Sequence, residues 1–125
     1  MSQPASQDVY RFGVERTVRI LVTTGNEIAG CRITHYLGVV RGLVVRSPSL
    51  GQGLVGAFKS MGGGNIKEYA EVCEAARHEA YVHMVEHAEQ LGAHAVVAMR
   101  YDATEFMQSV TEVLAYGTAV RIETA

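Results

Sequence analysis

The residues of this chain best suited to chemistry are histidines, carboxylates and thiols. Glu79, His83 and His87 stand at positions i, i+4 and i+8, so on a helix all three project along one flank. Two imidazoles one turn apart can bind zinc or copper, and a carboxylate a turn earlier adds a third donor. At about 100° per residue, His87 falls at the margin of the helix's apolar stripe and Glu79 well round toward its polar side. One helix therefore offers two ligands with ease and three poorly. Cys31, at the start of a predicted strand, is the thiol placed to ligate a soft metal, whereas Cys73 falls on the apolar stripe and reads as a small core residue. The candidate metal set is His83, His87, Glu79 and Cys31, for a transition metal such as zinc or copper. His35 and His94, in or beside strands, read as structural.

A second group of residues imitates a nucleotide site. Gly51, Gly53 and Gly56 spell G-x-G-x-x-G, the spacing of a dinucleotide-binding turn. That turn needs a strand, a crossover helix and a second parallel strand ending in an acidic residue about twenty positions on. Here Glu71 and Glu74 arrive at that distance while still on a helix. The glycines are thus expected to swing the chain from sheet to helix, and no cofactor-binding residue is assigned. Gly62–Gly64 read as a hinge between two helices, with a small anion nest flanked by Lys59 and Lys67 as the alternative. Ser47, Ser49, Ser60 and Ser109 lack a nucleophile elbow. No catalytic residue is assigned, and the expected protein is not an enzyme.

The elements that must position these groups follow from pattern. With 125 residues the chain is one domain in size. A formal charge of −2 offers no basic field for nucleic acid, and no apolar run reaches the ~20 residues of a membrane span. Two cysteines that form no C-x-x-C pair, without an export signal, point to a reduced, cytoplasmic setting. Residues 1–16 are polar and unpatterned and read as a flexible N-terminal arm; residues 17–125 read as the domain. Strands are expected at residues 17–24 and 31–46, then a short helix over residues 50–61 and a long one over residues 66–91. The long helix carries Ile66, Tyr69, Cys73, Ala76, Ala80, Met84, Ala88 and Leu91 on one stripe, and Gly92 stops it. Two further strands follow, with their break at residues 104–109. In the strand at 31–46, alternation places Ile33, Leu37, Val39, Leu43 and Val45 on one face and Tyr36, Val40 and Val44 on the other. The last strand has small residues on one side and Val110, Leu114, Tyr116, Val120 and Ile122 on the other, with Glu112 among them. Two helices cannot roof both faces of such a sheet, so the pattern predicts self-association.

The segments "GGGNIKEYAE", "EAARHEAYVHMVEHAEQLGAHAVVAMRYD" and "TEVLAYGTAV", together with "ILVTTGNEIAGCRITHYLGVVRG" upstream, resemble in order the YbjQ-type family, a domain of unknown function named for heavy-metal binding. The resemblance spans roughly residues 18–122. It implies an α+β subunit with a four-stranded, mainly antiparallel sheet and its helices on one face. It also implies assembly into a ring, commonly a homopentamer, in some cases stacked in pairs. It brings no accepted reaction. His83, His87 and His94 stand where the family usually has other residues, so they inherit no role from it. The function expected is binding of a metal ion or small ligand between subunits, with no nucleic-acid or membrane partner. The alternative is an interaction scaffold that presents its surface or N-terminal arm to a protein partner.

Overall fold

A computed structural model describes residues 9–12, 16–46, 66–107 and 110–125. In chain order these form β1 (Val9–Phe12), β2 (Arg16–Arg19), β3 (Leu21–Val22), β4 (Cys31–Arg46), α1 (Ile66–Gln90), β5 (Ala95–Met107) and β6 (Val110–Thr124). β1 and β2 make a separate antiparallel pair, Val9 opposite Arg19 and Phe12 opposite Arg16, within and just beyond the stretch read as an arm. The main sheet has the order β3-β5-β6-β4. The short helix expected over residues 50–61 and the glycine motifs beside it lie outside the described residues, among which α1 is the single helix.

The sheet is mixed, which corrects the mainly antiparallel expectation. β3 runs parallel to β5, with Leu21 opposite Ala95, while β6 is antiparallel to both β5 and β4. The reason is that the chain crosses the sheet twice before β5. Between β3 and β4 it passes over one face and buries Ile28 there; between β4 and β5 it passes over the other as α1. Each crossing returns the next strand to the same end. Only β6, which follows β5 closely, reverses.

α1 packs on β4 and β6. Ala80, Met84, Val85 and Ala88 are fully buried against Val40, Val44, Val96, Ala115 and Ala119. The closest approach is at Gly42, where a methyl group would run into the Ala80 carbonyl and the Met84 amide and lie 2.8 Å from His83 Cβ. The helix ends as its glycine predicts. Gly92 has a φ of 78°, its N–H donates to Glu89 O at 2.9 Å, and the Ala93 N–H donates to Ala88 O at 3.1 Å, the paired bonds of a Schellman stop. Two expected stripe residues miss the core: Cys73 is exposed and Leu91, past the last turn, is 42% exposed. α1 covers β4 and β6 but scarcely reaches β5, and among the described side chains the stripe is buried from Ala76 to Ala88.

β4 also departs from simple alternation. Register shifts between Ile33 and His35 and between Tyr36 and Gly38, the latter with Gly38 at φ 116°, change which residues face the helix. Leu37 consequently packs with Val40 and Val44, and Tyr36 stands 73% exposed. On the far face Leu21, Ile28, Ala95, Val97, Val120 and Ile122 form a second cluster, with Cys31 and Ile33 against it. No helix among the described residues is long and apolar enough to cross a membrane.

Candidate metal centre

Because α1 crosses β4 at Gly42, the flank carrying Glu79, His83 and His87 runs beside the outermost strand. Each of the three meets something different there. The Glu79 carboxylate pairs with the Arg46 guanidinium at the end of β4. His83 Nδ1 lies 3.2 Å from Glu86 Oε1, one turn further along the same helix. His87 Nδ1 accepts the backbone N–H of Arg41 at 3.2 Å. Among the described residues β4 has a strand neighbour on one side only, and an imidazole from the helix supplies an acceptor for one of its amides.

Cys31, the fourth predicted ligand, stands apart. Its N–H donates to Ile28 O at 3.1 Å and its side chain packs with the far-face cluster, across the sheet from α1. The structure therefore brings Glu79, His83 and His87 onto one edge and places Cys31 on the opposite face. Among the described residues no three His, Cys, Asp or Glu side chains gather as they would around an ion. Sequence reasoning passed over Glu86, although the i, i+3 spacing from His83 carries the signal.

The remaining histidines sit elsewhere. His94 Nδ1 is 3.0 Å from the Ile122 amide and 3.1 Å from its carbonyl, while the His94 N–H donates to Val120 O; the side chain prolongs the pairing of β5 with β6. His35 Nδ1 lies 2.9 Å from Thr34 Oγ1 on the exposed part of β4. Where α1 leaves β5 uncovered, a cleft of about 670 Å³ opens, lined by Glu71, Glu74, Ala75, His78, Tyr81 and Tyr101. The Arg77 guanidinium lies 6.0 Å from the centre of the Tyr101 ring at this edge, the reach of a cation–π contact.

The described residues form an α+β subunit with a mixed four-stranded sheet and one long helix, whose His/Glu flank runs beside the outer strand. The chain belongs to the YbjQ family, whose model, described as "Putative heavy-metal-binding", matches residues 20–123. A UPF0145 protein of Legionella pneumophila (strain Lens) is 55% identical over 103 residues, covering 82% of this chain and 98% of that protein. A UPF0145 protein of Chromobacterium violaceum is 54% identical over 103 residues, 82% of this chain and 88% of its own. An archaeal UPF0145 protein, from Saccharolobus islandicus, is 48% identical over 82% of this chain and 90% of its own. In three dimensions the chain is similar to a Pediococcus pentosaceus protein of unknown function from the DUF74 family. The TM-score is 0.51 at 18% identity, over 83% of this chain and 98% of that one.

Proposed function

We propose that the protein is a non-catalytic homo-oligomer of the cytoplasm, a pentameric ring or two such rings stacked. In this reading it holds a transition or heavy-metal ion such as zinc or copper, or a small ligand, between its subunits. One observation carries the reading. β4 is the outermost strand, 16 residues long, and leaves Tyr36 73%, Val39 62% and Leu43 46% exposed. A long apolar edge strand is a template for another chain, and fully burying one such side chain is worth about 1.5–3 kcal/mol. The metal part is supported by the family's description and by the histidine flank running beside the same strand.

Native mass spectrometry of untagged protein, with and without added zinc or copper, tests both parts together. The expected result is one closed assembly, a pentamer or a pair of them, that gains mass in steps of the ion. A monomer at micromolar concentration that takes up neither ion overturns the reading.

A further inference from the structure

The face of the main sheet turned away from α1 carries charges that find no use within the subunit. The strands set its side chains in rows: Arg41 and Arg100 on either side of Tyr116, then Leu43 beside Leu114, then Val45 beside Glu112. Val40, Val44, Met99, Val113 and Ala115 pack on the helix side, so by alternation these residues project the opposite way. We infer that this face docks on the same face of a second copy, about a two-fold axis along the Leu43–Leu114 row. Arg41 of each copy then meets Glu112 of the partner subunit. The contact rests on the reading of the protein as a homo-oligomer and names one of its interfaces.

Charge selects this occupant. Among the described residues the Arg41 guanidinium and the Glu112 carboxylate make no ion pair. Glu112 is nonetheless half-buried, and a carboxylate drawn out of water without a partner is costly. The two cannot satisfy each other within one subunit. Arg41 lies opposite Tyr116, four residues along β6 from Glu112, a separation of about 14 Å at ~3.4 Å per residue. Arg100 is held elsewhere, with Nη1 donating to Thr24 O at 2.9 Å and to Met99 O at 2.8 Å.

A two-fold axis along the middle row carries the basic row of each copy over the acidic row of the other. It also lays Leu43, 46% exposed, and Leu114 against their own counterparts. The face is thus complementary to itself, as an isologous contact requires. Asp102 ends the middle row on β5, where its carboxylate accepts the Ala103 N–H at 3.0 Å, so the contact centres on β4 and β6. An isologous contact joins copies in pairs and cannot by itself close a five-membered ring. Of the two assemblies proposed above, it selects the stacked pair.

The test compares full-length wild type with Arg41→Glu, Glu112→Arg and the double exchange, by native mass spectrometry and sedimentation velocity over a concentration series. Wild type should contain an even number of copies. Each single reversal sets like charges against each other at both symmetry-related pairs, so pairing should weaken at least about tenfold and the assembly fall to half its mass. The double exchange should restore pairing to within about threefold of wild type. Since the two residues are too far apart to meet inside a subunit, that restoration reports a contact between copies. Arg41→Gln and Glu112→Gln are measured alongside, so that a reversal that fails to fold leaves the same comparison in neutral form, with pairing weakened at least about threefold. Folded single variants that keep the wild-type mass, a double exchange as dissociated as the singles, or an odd number of copies overturns this contact and leaves the homo-oligomer reading intact. A wild-type monomer at micromolar concentration overturns both.

Discussion

The two faces of the main sheet are covered by different means. On one, α1 lies against the strands with almost nothing between the backbones: Gly42 faces Ala80 and Met84, and Ala115 and Ala119 line the floor. On the other, a connection rather than an element of secondary structure does the covering. Residues 24–30 carry Ile28 over Ala95, Val97, Val120 and Ile122, and beyond that patch Val39 and Leu43 stay exposed. Small side chains let a helix seal what lies beneath it, here β4 and β6, whereas a short loop seals only what its one buried side chain can reach. The sealed face holds the fold together, while among the described residues Val39 and Leu43 leave the other only partly covered.

Substitutions can break that contrast. The largest effect is expected at the sealed face: Gly42→Val forces a branched side chain into the helix backbone, so it should cost at least about 3 kcal/mol or prevent folding, read by urea denaturation. A smaller loss is expected from Gly117→Ala. The added methyl would lie 2.6 Å from Val96 Cγ1, 3.0 Å from Val97 O and 3.2 Å from Met99 Cα. About 1–3 kcal/mol, by the same measurement, is the expected cost. The smallest change in subunit stability is expected on the half-covered face. Leu43→Glu should leave unfolding of the isolated subunit within about 0.5 kcal/mol, yet shift the sedimentation coefficient to that of a smaller species. Unaltered sedimentation would remove Leu43 from any contact between copies.

Much of this architecture was legible in the amino-acid order. The alanine-rich stripe of α1, its glycine stop and the long strands on either side follow from periods of 3.6 and 2 and from Gly92. What escaped were features decided by partners distant in sequence. Parallel pairing of β3 with β5 depends on two crossings of the sheet, and two residues of strand carry no sign of direction. The register shift at Gly38, and with it the exchange of Leu37 and Tyr36 between faces, depends on the partner strand. Cys73 fits the stripe by spacing and is nevertheless exposed. At the candidate site the flank of Glu79, His83 and His87 was readable. The division of labour along it was not, since Arg46 and the Arg41 amide belong to a strand more than thirty residues earlier.

One detail of β5 bears on how this chain can vary. Ala98, with φ 55°, is an extra residue in the strand, held by its N–H to Gly25 O at 2.7 Å while the Met99 N–H reaches Thr23 O at 3.0 Å. Everything after it is turned over: Met99 joins the helix-side core and Tyr101 comes under Arg77, whereas strict alternation from Val97 would aim both at the face away from α1. Deleting that single position would invert the remainder of the strand, trading the buried Met99 and the partly exposed Tyr101 ring for Arg100 and Asp102. Homologous sequences should therefore keep the count of residues between Ala95 and Tyr101 fixed, and tolerate drift in length only in the connections outside it.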